Sequence, residues 1–161
     1  MTTLALGFEG PLAVAAMRGE LADMPDGKLN ILVPVNGTEP ARRGAEVAIT
    51  MARATRCPLS VLYVALRDGK RGDRRSLHTR HHEEAILKDI VAIADGYNMS
   101  VRTAVLTDKS PEDAIMREAE RHRHNLIVMG VGRRPGERLF FGDTAAALMQ
   151  DCECSLLYVA S

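Results

Sequence analysis

The chain has 161 residues, 46% hydrophobic and 26% charged, which suits one core of ordinary size under a soluble surface. Its 21 Lys plus Arg balance 21 Asp plus Glu, so no global field draws it to nucleic acid or to an anionic membrane, and any basic patch must be local. Three Phe, three Tyr and no Trp also leave few rings on which bases could stack, which argues against nucleic-acid binding.

Residues 1 to 28 mix weakly apolar stretches with Gly, Pro and acidic residues and show no clear period. They read as a linker or tether arm, with a short helix expected near Leu12 to Leu21. No basic residue precedes the apolar part, which makes it a poor signal peptide. No run reaches the roughly 20 apolar residues of a membrane-spanning helix, so no transmembrane segment is expected.

The regular part, residues 29 to 161, begins with "LNILVPV", a buried strand that ends in the turn residues "NGTEP". "ARRGAEVAITMARATR" follows as a helix with Ala45, Ala48, Ile49 and Ala52 on one face. "PLSVLYVAL" is a second buried strand, and "RDGKRGDRRS" is a polar loop carrying Arg67, Lys70, Arg71, Arg74 and Arg75. A solvated insertion is the first reading of that loop; a lid over phosphate or a contact to an anionic membrane surface is the second. "LHTRHHEEAILKDIVAIADGY" presents Ile86, Ile90, Ile93 and Ala94 on one helical face and predicts a stop at Gly96. "MSVRTAVL" alternates like an edge strand, and "SPEDAIMREAERHR" opens with Ser110 at the N-cap and Pro111 behind it. "NLIVMG" and "CSLLYVA" are the last two strands and flank a helix that starts at "GDT".

Apolar strands alternating with helices predict an α/β fold, a doubly wound parallel sheet with helices on both faces. In such sheets ligands bind beyond the C-terminal strand ends where the strand order reverses. That points to the loops "VNGTEP" and "GVGRRPGERLFFGDT". In the second, Gly130 and Gly132 are expected to take positive φ and let an anion reach the amides. Gly142, Asp143 and Thr144 stand at a helix start, where free N–H groups and the dipole favour negative charge. Arg133, Arg134 and Arg138 add donors suited to phosphate oxygens. Asp143 opposes this, because it can cap the helix and repel a phosphate.

The remaining constellations favour plainer readings. His78 and His82 stand at i and i+4 but call for a third ligand before they make a metal site, and a solvated helix face is the commoner outcome. Cys152 and Cys154 in "CEC" read as residues at the entry to a buried strand, and three thinly spread cysteines suit a reducing, cytoplasmic setting. No Walker-type "GKS" or "GKT" is present, nor a nucleophile-and-base motif. Neither a metal nor a catalytic residue is therefore assigned.

The element order, "LIVMGVGRRPGERLFFGDTAAAL" and the closing "CSLLYVA" resemble the universal stress protein domain over about residues 29 to 161. This resemblance implies a five-strand sheet in the order 3-2-1-4-5 and a homodimer formed through the last strand, Ser155 to Ala160. It also implies an adenine nucleotide such as ATP, with Mg2+, as ligand. The implied binding residues are Pro34, Val35, Asn36, Gly37 and Thr38 after strand one, Val64 and Ala65 where adenine stacks, Met129, Gly130, Val131, Gly132, Arg133 and Arg134 in the phosphate loop, and Gly142, Asp143 and Thr144 at the following helix. The family's loop reads Gly-x-x-Gly, nine residues, then Gly and Ser or Thr. Here Gly132 falls one place early, Arg133 takes the usual glycine position, and Asp143 stands where a hydroxyl is usual, with Thr144 one residue on. Asn36 replaces the usual aspartate.

The loop version is most similar to stress-protein domains fused behind the membrane part of bacterial cation/proton antiporters, with residues 1 to 28 as the tether. Two functional readings stay open: a nucleotide-binding regulatory domain acting on such a partner, and a dimeric interaction module that has lost nucleotide. A weak ATPase comes third.

Overall fold

The computed structural model describes residues 2–4, 15–17, 28–67, 77–132 and 142–160, with side chains described for 28–67, 79–132 and 142–160. The chain opens with two short strands, β1 (Thr2–Leu4) and β2 (Ala15–Met17), paired antiparallel with Thr2 opposite Met17. The helix expected near Leu12 to Leu21 is therefore replaced at Ala15–Met17 by a strand. This segment has no amphipathic period to bury against a neighbour, and pairing with β1 satisfies its backbone instead.

The regular part alternates as expected: β3 (Ile31–Val35), α1 (Glu39–Thr55), β4 (Leu59–Leu66), α2 (Leu77–Gly96), β5 (Arg102–Asp108), α3 (Pro111–Arg121), β6 (Leu126–Val131), α4 (Gly142–Asp151) and β7 (Ser155–Ala160). The five long strands form one parallel sheet in the order β5-β4-β3-β6-β7. Counted from β3, that is the predicted order 3-2-1-4-5. Strand order runs one way through β4 and β5 and the other way through β6 and β7. Right-handed crossovers therefore place α1 and α2 on one face and α3 and α4 on the other.

Two buried clusters record this layering. Ala45, Ala48, Ile49 and Ala52 of α1 and Leu87, Ile90 and Ala94 of α2 pack with Ile31, Val33 and Val61. Ile115 and Ala119 of α3 and Ala145 and Leu148 of α4 pack with Leu32, Leu62, Ile127, Leu156 and Tyr158. Each central strand thus sends alternate residues to opposite faces, which is why these strands read as continuous apolar runs. At the sheet edge, β5 leaves Arg102, Thr103 and Val105 exposed and tucks Ala104 and Leu106 partly in, matching its alternating sequence.

Caps behave largely as the sequence implies. Ser110 Oγ accepts the Asp113 amide at 3.1 Å, with Pro111 in the first turn of α3 and Glu112 and Asp113 at its positive end. The α2 terminus is different. Gly96 stays inside the helix, and the left-handed residue is Asn98 (φ 54), whose neighbours Tyr97 and Met99 both donate to the Ala94 carbonyl. Asparagine tolerates that conformation better than other non-glycine residues, so α2 ends at Gly96 as predicted while the left-handed turn that closes it falls two residues later, at Asn98.

At the N-terminal end of the sheet, Glu118 is 3% exposed and is held by Arg102. Arg102 Nε also donates to Ser60 Oγ at 3.1 Å, and His122 Nε2 lies 3.4 Å from the same Glu118 oxygen. His124 is buried beside this group, and burial holds its pKa below the ordinary histidine value, with the Arg102 charge acting in the same sense. Neither of its ring nitrogens makes a hydrogen bond, although the Asn30 main chain lies near enough to favour the charged form slightly.

Candidate functional site

The sheet opens where the strand order reverses. β3 pairs with β4 from Ile31 to Val35, but with β6 only at Ile31 and Leu32. Pro34 has no N–H to offer a ladder, and beyond Leu32 the two central strands run on without pairing. The two strands thus stop pairing at the place in the sheet where topology predicts a crevice, and α1 and α4 are the helices that follow them.

The β3 side is built by a short hydrogen-bonded turn. Gly37 takes φ 81, which suits glycine, and an ideal Cβ there would also stand 2.7 Å from Ile86 Cδ1. Asn36 Oδ1 accepts the Thr38 amide at 3.1 Å and the Thr38 hydroxyl at 2.7 Å. Thr38 Oγ1 in turn accepts the Ala41 amide and caps α1. The Asn36 oxygen is thus committed to the cap. Its amide nitrogen, with no acceptor among the described residues, is the atom left to meet a ligand.

On the β6 side the glycines do something other than the sequence suggests. Among the described glycines only Gly37 and Gly142 have positive φ; Gly130 and Gly132 do not. The expectation of left-handed backbone at 130 and 132 is corrected. Gly130 is instead a packing glycine: an ideal Cβ would lie 1.6 Å from the Pro40 carbonyl oxygen and 2.7 Å from the Ala41 nitrogen. Gly44, one turn into α1, faces it from the other side, its ideal Cβ 2.6 Å from the Gly130 nitrogen. Two missing side chains let the first turns of α1 lie directly on the end of β6. Gly44 was not singled out from the sequence, because one glycine in a helical run carries no local sign of what it faces.

The helix side of the loop begins at Gly142, with φ 69. Asp143 is exposed in the first turn of α4, one place inside the helix start, and none of the described residues hydrogen-bonds to or pairs with its carboxylate. Thr144 follows, partly buried. Residues 133 to 141, including Arg133, Arg134 and Arg138, lie outside the described residues, as does most of the basic loop after Arg67.

Of the other predicted residues, Pro34 is half-buried and Val35 5% exposed at the tip of β3. Val64 is half-buried and Ala65 buried at the end of β4, opposite Leu106 and Thr107. Met129, Gly130 and Val131 close β6 opposite Tyr158, Val159 and Ala160.

A cavity of about 260 Å³ lies beside the β3 tip, between α1 and α2. It gathers Val35, Gly37 and Thr38 with Arg42, His82, Ala85, Ile86, Asp89 and Ile90. Arg42 Nε donates to Asp89 Oδ2 at 3.0 Å across its wall. Three predicted residues line it, while Val64, Ala65 and the β6–α4 residues do not. The α2 contributors were missed because an amphipathic helix reads only as core against solvent. Among the described residues no three His, Cys, Asp or Glu side chains converge on a metal position, and the His78 side chain lies outside them. No described helix is long and apolar enough to cross a membrane.

The family model for the universal stress protein family matches residues 29–160. No curated protein sequence matches the chain. Among solved structures, a universal stress protein from Archaeoglobus fulgidus is 22% identical, with a TM-score of 0.68 over 81% of this chain and 98% of its own. The universal stress protein from Archaeoglobus fulgidus in complex with dAMP is also 22% identical, with a TM-score of 0.65 over 81% and 97%. A universal stress protein family protein from Arabidopsis thaliana with AMP bound is 18% identical, with a TM-score of 0.59 over 82% and 91%.

Proposed function

Because this chain belongs to the universal stress protein family, we propose that it is a regulatory domain that binds an adenine nucleotide or a related phosphate ligand. The observation that carries this reading is the unpaired gap between β3 and β6 beyond Leu32, with the Gly142 start of α4 at one side and the Thr38-capped start of α1 at the other. A helix start offers unpaired amides and a positive dipole end to phosphate. The Asn36 amide nitrogen would donate to ribose or base, and the apolar tips of β3 and β4, with Val35, Val64 and Ala65, would cover the ring. Mg2+ would accompany a di- or triphosphate as its counter-ion. Structures of the same fold carry dAMP and AMP, which supports the ligand class.

The reading extends to partners. β7 is the outer strand of the five-strand sheet, hydrogen-bonded to β6 and with the short β2 lying against it, and its residues Ser155 to Ala160 would join two copies in a homodimer that accommodates or displaces β2. The domain would act on a cation/proton antiporter, fused or separate, from the cytoplasmic side of the membrane. Nucleotide can bias such a partner only through a difference in affinity between two states. Asp143 and the committed Asn36 oxygen favour the alternative, a dimeric interaction module that no longer takes nucleotide.

The Asp143→Ser variant separates the two. Removing an exposed charge from the first turn of α4 is expected to tighten AMP or ATP binding about two- to fivefold in magnesium-free buffer. Unchanged affinity in the variant would show that phosphate does not sit on the α4 amides.

A further inference from the structure

We propose that Cys152 and Cys154 form a redox-active dithiol that a hydroperoxide closes into an intramolecular disulfide. Residues two apart on a strand point the same way but stand well separated, and on a helix they diverge. Here neither geometry applies. Cys152 still donates its amide to the Leu148 carbonyl at 3.0 Å as α4 ends, a bend follows at Cys154, and β7 begins at Ser155. That turn brings the two sulfurs to 3.0 Å, within hydrogen-bond reach of each other.

Both thiols are free and only partly buried, whereas Cys57 is free and buried in the core behind α1. The pair is therefore open to small oxidants and Cys57 is shielded. The two sulfurs are also unequal. The Cys154 thiol hydrogen-bonds to Cys152 and holds it down to about 7, against the opposing effects of burial and of Glu153, while the same contact pushes Cys154 up. Cys152 is thus the more readily ionised of the two, and Cys154 keeps a proton to give.

The chemistry balances on these two residues and the peroxide. The Cys152 thiolate attacks one peroxide oxygen; an S–O bond forms, the O–O bond breaks, and the departing alkoxide or hydroxide takes a proton. The product is a sulfenic acid. The Cys154 sulfur then attacks the Cys152 sulfur, the S–S bond forms, the S–O bond breaks, and the hydroxyl leaves as water with the Cys154 proton. The two thiols together lose two electrons, and the peroxide is reduced to alcohol or water. The disulfide would tie the end of α4 to the start of β7, whose register is otherwise set by contacts such as the Tyr158 hydroxyl donating to the Ala145 carbonyl at 2.8 Å.

The test is peptide mass mapping of the reduced full chain after brief treatment with dilute hydrogen peroxide. A fragment carrying residues 152 to 154 that is lighter by two hydrogens, restored by dithiothreitol, with Cys57 unmodified, is the expected result. In Cys154→Ser, the resolving thiol is gone, and dimedone is expected to trap a sulfenic acid on Cys152. All three thiols surviving unmodified would overturn the proposal. So would a disulfide between two chains, or a sulfinic acid on Cys152 in place of the closed pair.

Discussion

Gly130→Ala is expected to cost about 3 kcal/mol of folding stability, the upper part of the usual range for overpacking. Its Cβ would fall 1.6 Å from the Pro40 carbonyl oxygen, 2.2 Å from the carbonyl carbon and 2.7 Å from the Ala41 nitrogen. These are backbone atoms, so no side chain can swing away, and α1 has to move off the sheet. Gly44→Ala tests the same contact from the other side. In an ordinary helix interior, glycine to alanine gains about 1 kcal/mol; here the new Cβ meets the Gly130 nitrogen at 2.6 Å, and a loss is expected. Urea denaturation of both variants checks the pair. Stabilisation by Gly44→Ala would mean that α1 does not lie this close to β6. Since the α1 start forms one wall of the crevice, both variants are also expected to weaken nucleotide binding more than their stability loss alone implies.

Arg102→Met should destabilise by about 2 kcal/mol, because it leaves a buried carboxylate without its guanidinium. Glu118 is 3% exposed, and the Arg102 side chain, 44% exposed, reaches it from the sheet edge. That partial exposure is why the figure sits below the range for a fully buried pair. His122 lies close to both partners but reaches Glu118 only at 3.4 Å, so it does not replace the guanidinium. The double variant Arg102→Met with Glu118→Met is expected to recover most of the loss, since removing both charges also removes their desolvation cost. A double variant as unstable as the two single losses added together would show that the pair is not coupled.

Much of the fold was legible because its signals are local. Apolar runs between turn residues gave the five strands, Ser110-Pro111 gave the start of α3, and the alanine face of α1 gave its buried side. The misreadings depend on contacts that the local pattern of residue types does not display. A glycine that admits an anion and a glycine that admits a helix look the same on paper. Only the approach of Pro40 identifies Gly130 as the second kind. Asn36 reads as a ligand donor and acceptor until Thr38 is seen to occupy its oxygen. The cavity residues of α2 lie on a face whose neighbours depend on how α1 crosses it. The end of α2 at Gly96 was legible, but not that the left-handed turn closing it falls at Asn98. The family resemblance pointed to the ends of β3 and β6, and the altered spacing in its loop marked where this chain departs from the family pattern.

The central claim is that the β3–β6 gap holds an adenine nucleotide. Isothermal titration calorimetry of the full chain against ATP, ADP, AMP and cyclic AMP, with and without Mg2+, tests it most directly. Saturable heat at micromolar concentration with at least one of them, weakened in Gly130→Ala, is the predicted result. Flat traces across the whole panel from a correctly folded protein would contradict it and leave the interaction module as the account of this chain.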